Sequence, residues 1–323
     1  MHTSSPSLRD LHLQDASEQQ AAQDWLAWEN HQLKPGHYKG RLRELHLDSL
    51  SIVEENQNQA AHKHGLMEKN LCTISYIRPN TEKNRFSEHS IDENELYFLP
   101  SNTEFDVQIE ANVETIYFRF EQSRVQERAS VLCPKSWEKP PTDLMLFKAP
   151  LQKQLDCFVR HLFSTQSILL EKYSVDNKKS LDQIIMDQVL LTLDFENNPG
   201  KNATGLIARR RAFHVVGRAR EYIITAHNNQ LCPSIIDICH EIKVSQRTLQ
   251  YSFKILLGLT PINYLRILRL NWARRQLKHP VSNDTTVTDI AMRWGFWHLG
   301  KFSNCYMTMF GELPSTTLKQ AYR

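Results

Sequence analysis

Three groups of side chains have the types and spacing to do chemistry. His62 and His64 form an H-K-H run and, with Glu68 and His89, carry the imidazole and carboxylate donors of a transition-metal site. That run sits in a polar, loop-like stretch and reads as surface, so no metal, no cofactor and no catalytic residue is expected. Trp25, Trp28, Tyr76, Tyr97, Phe98, Tyr117 and Phe118 hold enough aromatic area to wall a pocket, although aromatics at strand spacing more often fill a core. Gln246, Arg247, Gln250 and Tyr251 recur at steps that align them on one helix face. Glutamine and arginine suit bidentate hydrogen bonds to adenine and guanine edges in a major groove.

Phosphate-cradling loops need clustered glycines, because only bare backbone approaches phosphate closely. Neither G-x-x-x-x-G-K-[ST] nor G-x-G-x-x-G occurs, and 10 glycines serve 323 residues. P-loop and standard dinucleotide chemistry are therefore disfavoured, and the chain is not expected to be an enzyme. A cupin-type metalloenzyme is one alternative; a non-specific DNA-binding protein is another. The N-terminus lacks a signal-like apolar core, and no run reaches the roughly 18 apolar residues of a membrane span. A cytoplasmic location away from any membrane is expected. The scattered cysteines, with no C-x-x-C, read as reduced, mostly packing thiols.

The net charge of +3 hides a division. Residues 206–323 carry 17 Lys+Arg and 6 Asp+Glu, a net of +11, which leaves −8 for residues 1–205. A basic segment of that size has the electrostatic footprint of a nucleic-acid binder.

The elements that must present these groups are legible from periodicity. Residues 1–20 read as a frayed tail and 21–34 as a short helix. Short alternating stretches over 40–122, with Ile116, Phe118 and Phe120 two apart, predict an antiparallel sandwich or barrel. Leu151, Leu155, Phe158, Val159 and Leu162 predict one helix within 148–198, and Ile184, Ile185, Val189, Leu190 and Leu193 a second. The pair would lie across the sheet or form a dimer seam. NNPGKNATG, residues 197–205, has the composition of a linker. The expected division is 1–205 and 206–323.

The basic segment repeats itself at an offset of 53, with Gly258 falling on Gly311 and Pro261 on Pro314. Leu249, Phe253, Leu256 and Leu257 match Phe302, Tyr306, Met309 and Phe310 as inward faces. Each copy reads as helix, turn, second helix and capping glycine, at about 234–257 and 287–310. Ile235, Ile236, Ile238 and Cys239 supply the first helix's apolar face. Tyr264, Leu265, Leu268, Ala273 and Leu277 suit a long helix joining the copies; Arg266, Arg269, Arg274, Arg275 and Lys278 decorate it. Gln246, Arg247, Gln250, Tyr251, Ser303 and Asn304 are the candidates for base contact. Ser245, Lys254, His298, Lys301 and Arg274 are the candidates for phosphate contact. In copy two, Leu299 and Gly300 replace Gln246 and Arg247, so it should contribute fit more than readout.

DICHEIKVSQRTLQYSFKILLGLTPINYLRILRLNWARRQL (237–277) and DIAMRWGFWHLGKFSNCYMTMFGELPS (289–315) together resemble the AraC/XylS family of bacterial transcription regulators. Within it, RTLQ…LRLN and AMRWGFWHLGKF look most like the branch that regulates ethanolamine utilisation. The resemblance implies an α+β chain: an antiparallel, cupin-like sensory and dimerisation domain, then an all-α domain of two helix-turn-helix units joined by a long helix. It implies an activator that binds promoter DNA, works with RNA polymerase and answers a small effector, with a homodimer as a candidate assembly. The branch points to an amine or amino alcohol as effector.

Overall fold

A computed structural model describes residues 7–47, 49–78, 83–132, 137, 141–172, 175–194, 206–229, 231–282 and 285–322. The linker expected at 197–205 and the extreme N-terminus lie outside them.

Two antiparallel sheets build the N-terminal half. The larger runs β1 (Ser7–Leu13), β3 (Gly40–His46), β4 (Leu50–Gln57), β11 (Val113–Glu121), β6 (Leu71–Ile77), β9 (Glu95–Leu99) and β12 (Met145–Lys148). The smaller runs β2 (Ala27–Gln32), β5 (Ala61–Leu66), β10 (Glu104–Ile109), β7 (Arg85–Phe86) and β8 (His89–Ser90). Two-residue alternation sorts β11. Ile116, Phe118 and Phe120 join a core under three helices, α2 (Gln122–Leu132), α3 (Gln152–Lys172) and α4 (Val175–Thr192), while Val113 joins the core between the sheets. The helix pair therefore lies across the sheet.

Sheet extends beyond 40–122. The tail expected at 1–20 instead holds β1, paired along its whole length with β3, and α1 (Ala16–Ala22), whose N-terminus Asp15 caps. β1 is a mostly exposed edge strand, so it carries little apolar pattern to read. The helix expected over 21–34 is corrected to β2, which pairs with β5 from Ala27 to Gln32. Leu151 and Ile184 point to solvent, whereas Leu155, Val159, Leu162, Ile185, Val189, Leu190 and Leu193 are buried.

The C-terminal half is helical: α5 (Leu206–Asn228), α6 (Ile235–Glu241), α7 (Gln246–Leu257), α8 (Pro261–Lys278), α9 (Val287–Arg293), α10 (Leu299–Phe310) and α11 (Pro314–Ala321). One core joins them, with Val216 and Ile223 of α5, Leu249 and Phe253 of α7, Tyr264 and Leu268 of α8, and Phe302 and Tyr306 of α10. Ile236 departs from its expected inward position and is 78% exposed, while Ile238 anchors α6. Among the described cysteines all are free; Cys72 is buried, whereas Cys157 and Cys232 are exposed, the latter donating its thiol to the Arg293 carbonyl.

The halves meet through polar groups. Asp106 is fully buried and accepts from Arg85 of its own sheet and from Arg220 of α5. His62 sits between, its Nε2 3.0 Å from Asp106 and its Nδ1 3.1 Å from the Tyr264 hydroxyl. Burial, reinforced by the Arg220 and Arg85 cations, holds His62 well below its usual pKa, so the ring is neutral. Burial lowers Arg85 to about 10, which still leaves it charged at neutral pH. Asn271 brackets the Gln32 backbone, accepting from its N–H at 3.1 Å and donating to its carbonyl at 3.0 Å. Arg274 and Lys278 of α8 pair with Asp15 and Glu18, the latter pair at 2.5 Å.

Removing one partner of a buried ion pair costs about 3–5 kcal/mol, because the other charge stays buried alone. Asp106→Ala strands both Arg85 and Arg220 and should cost about that much. Arg220→Ala leaves Arg85 on the carboxylate and should cost less. Urea unfolding of the two variants checks the order; equal losses would remove Asp106 from its central place.

Candidate nucleic-acid interface

Local sequence explains each reading helix. Ser234 and Asp237 form a reciprocal capping box at the start of α6, as Thr286 and Asp289 do at α9. Those boxes are 52 residues apart, not 53. The turn before α10 holds one residue more than the turn before α7, and the offset of 53 returns in the second helices. Gly258 and Gly311 each close their helix in the left-handed conformation, at φ 68° and 77°.

The α7 surface carries what copy one was expected to present. Leu249, Phe253, Leu256 and Leu257 are buried, while Gln246, Arg247, Gln250, Tyr251 and Lys254 are all exposed. The Ser245 hydroxyl caps the helix, accepting from the Thr248 N–H at 3.1 Å. Ser245 therefore has a structural duty in addition to any phosphate contact. In copy two Lys301, Asn304 and His298 are exposed and Ser303 is half-buried. His298 makes no side-chain cap, so the first N–H groups of α10 lack one. Trp297, which the sequence analysis passed over, is 73% exposed beside them. An exposed tryptophan next to a candidate reading helix is the signal that could have marked it.

Arg274 is corrected. Its guanidinium is held by Asp15 and by Glu312 at 2.7 Å, and stacks over Phe310 at 4.7 Å. Burial opposes its charge, but Asp15 and Tyr306 outweigh burial and raise its pKa. Such a group is committed inside the protein and does not face DNA. Among its neighbours, Arg269 donates to the Pro233 carbonyl at 2.9 Å and Arg266 to Asn263 at 2.8 Å.

The two other groups also moved. His62–Lys63–His64 is no surface loop but the buried strand β5. The polar alternation misled because both faces of the strand are covered. Lys63 points between the sheets to Glu55, and His62 points outward to the helical half. Glu68 is exposed on the turn beyond, and His89 lies on β8 beside Glu88, so the four expected donors do not converge. Between the sheets a cavity of about 100 Å³ is lined by Trp25, Trp28, Tyr76, Tyr97 and Tyr117, with Glu55 and Lys63. Phe98 and Phe118 point the other way, into the core under the helices.

Two helix-turn-helix units on one core, each with an exposed second helix, define a DNA-binding helix-turn-helix protein. Residues 238–320 match the helix-turn-helix domain family model. XylDLEGF operon transcriptional activator 2 of Pseudomonas putida is 43% identical over 75 residues, 23% of this chain and 48% of that protein. The probable thc operon regulatory protein of Rhodococcus erythropolis is 37% identical over 105 residues, 32% of this chain and 31% of that one. The chain thus spans under half the length of these relatives. Among solved structures, a probable AraC family transcriptional regulator from Rhodopseudomonas palustris is 34% identical, covering 33% of this chain and 97% of that one with a TM-score of 0.30. The AraC-like transcriptional activator CuxR is 15% identical over 88% of this chain and 100% of its own, with a TM-score of 0.41. Over its helix-turn-helix domain this chain is thus similar to AraC-type transcription regulators. No helix among the described residues is long and apolar enough to cross a membrane.

The unequal caps give a direct check. Ser245→Ala should cost about 1 kcal/mol, the usual worth of a side-chain N-cap. His298→Ala should cost nothing measurable, since no cap bond is lost. Comparable urea midpoints for the two variants would contradict the assignment.

Proposed function

We propose that this chain is a sequence-specific, non-enzymatic activator of transcription that reads promoter DNA with α7 and is controlled through its N-terminal half. The observation that carries the reading is the exposed Gln246, Arg247, Gln250 and Tyr251 on a helix anchored by its apolar face and capped at both ends. Lys254, Lys301 and His298, with the open end of α10, supply phosphate contacts, and Ser303 and Asn304 supply weaker contacts to the bases. The DNA-binding domain takes 206–323 and the sensory domain 1–205. The Pseudomonas relatives are named as operon transcriptional activators, which supports activation here; RNA polymerase is the partner and a homodimer the assembly we favour. A cytoplasmic location goes with this reading, since promoter DNA is the target.

The effector site is the cavity between the sheets. Its volume is somewhat below the roughly 150 Å³ of an apolar cavity that takes up benzene, so it suits a small ligand. An ammonium group would take the place of Lys63 at Glu55 within aromatic walls, the arrangement that favours cations. This supports an amine or amino alcohol, in keeping with the look of the ethanolamine-utilisation branch.

Two outcomes are expected. Arg247→Ala and Gln250→Ala should each cost about 1–3 kcal/mol of specific binding and relax base preference, whereas Lys254→Ala should weaken all sequences alike and flatten the salt dependence. Titration of target and scrambled duplexes at several salt concentrations separates them; wild-type affinity in both α7 variants would rule α7 out as the reader. Thermal-shift screening should show stabilisation by small amines and amino alcohols that Glu55→Gln abolishes. Stabilisation by carboxylates alone would assign the charge recognition to Lys63.

A further inference from the structure

A second constellation lies on the outer face of the smaller sheet, apart from both the DNA-reading helix and the cavity between the sheets. Antiparallel pairing sets Glu29 of β2 opposite His64 of β5, and His31 opposite His62. All four therefore share one face. One donor atom from each of Glu29, His31 and His64 lies within 4.8 Å of the other two. The Glu29 Oε2 is 2.8 Å from His31 Nε2 and 3.7 Å from His64 Nε2. Donors around a tetrahedral zinc ion sit about 3.3 Å apart, given bonds of roughly 2.0–2.2 Å, so the observed spacings straddle what an ion requires.

The second observation is an orphan. His64 is buried, and its Nε2 has no hydrogen-bond partner. Buried polar atoms are nearly always satisfied. His62, one register step away, shows the ordinary outcome, with both ring nitrogens engaged. His62 is thus structural, while the free nitrogen of His64 points at Glu29. The Glu29 side also borders a cavity of about 460 Å³ lined by His227, Trp272 and Arg275, which offers an entry path and room for a water ligand.

We propose that Glu29, His31 and His64 bind one divalent transition-metal ion of the zinc class, at the seam between the sandwich and the helix-turn-helix domain. Two imidazoles and one carboxylate favour zinc, cobalt or nickel over magnesium or calcium, which prefer all-oxygen shells. Trp272 of α8 stands edge-on to the His31 ring at 6.2 Å, and His227 of α5 stacks on Trp272 at 4.3 Å. His31 is therefore packed against α8, which is in turn backed by α5, and an ion here stiffens that seam.

The test uses the full chain after chelator treatment. Calorimetric titration with Zn²⁺ should give one ion per chain, Co²⁺ should give the intense visible bands of a four-coordinate site, and Mg²⁺ should not compete. His31→Ala and His64→Ala should each weaken Zn²⁺ by more than about tenfold, and His89→Ala should leave it unchanged. Glu29→Gln, nearly isosteric, guards against misfolding. It should keep the metal-free melting temperature yet lose the rise that Zn²⁺ gives the wild type. Absence of stoichiometric binding, or wild-type affinity in His64→Ala, overturns the proposal.

Discussion

The placement of the two halves depends on one buried carboxylate. Asp106 projects from a central strand of the smaller sheet, where water cannot reach it, and must find cations there. Arg85 answers from within the sheet and Arg220 from α5, so the ionic requirement of a β-strand is met in part by a helix of the other domain. His62 and Tyr264 extend the network into α8, the helix that joins the two reading units. Buried pairs of this kind add little net stability, since desolvation consumes most of the Coulomb gain. They punish misplacement instead. A helical domain docked elsewhere would deny Asp106 its second cation and part Arg220 from its carboxylate.

The division of charge follows the same logic. The acidic half does not merely repel DNA; it takes up part of the basic half's charge. Asp15 and Glu18 engage Arg274 and Lys278, and Glu88 engages Arg210. Burial would raise the Asp15 pKa, but Arg274 and Lys278 outweigh it and hold the carboxyl below its usual range. This contribution is therefore full at neutral pH and fades only on strong acidification, as pH falls through the lowered value. The basic groups left over at the reading helices, Arg247, Lys254 and Lys301, are exposed. Docking thus sorts the arginines and lysines into those that hold the two halves together and those left exposed on the reading helices.

Legibility in the sequence tracked how strongly a residue's neighbours were local. Both reading helices, their capping glycines and the inward faces of α7, α8 and α10 were readable, because helical periodicity and caps are set within a few residues. The β-rich region was readable where one face is apolar and the other polar, as in β11. β5 was not, because alternation marks an exposed face only when the other side is solvent, and here a second domain covers it. β2 failed for a related reason: Glu29 and His31 look like solvent-facing polar residues, yet they meet α8. The fate of Arg274 was likewise hidden, since its partner Asp15 lies more than 250 residues away.

The two copies of the reading unit show how a repeat is allowed to diverge. The shared parts make the fold: the capping boxes of α6 and α9, the buried faces and the left-handed glycines. What differs is confined to the DNA-facing end. Copy one spends a serine on its cap and places Gln246 and Arg247 in the first turn of α7. Copy two lengthens the turn by one residue, drops the side-chain cap and puts Leu299 and Gly300 there, with Trp297 exposed alongside. A missing cap leaves N–H groups that a phosphate oxygen can satisfy, and a first turn without large polar side chains lets the backbone come close. On the function proposed above, the side chains of α7 discriminate bases and the α10 end grips the sugar-phosphate chain. Fixing both units to a single helix, α8, itself held by Asn271 and Tyr264 against the sandwich, makes the separation of those two functions a property of the rigid core.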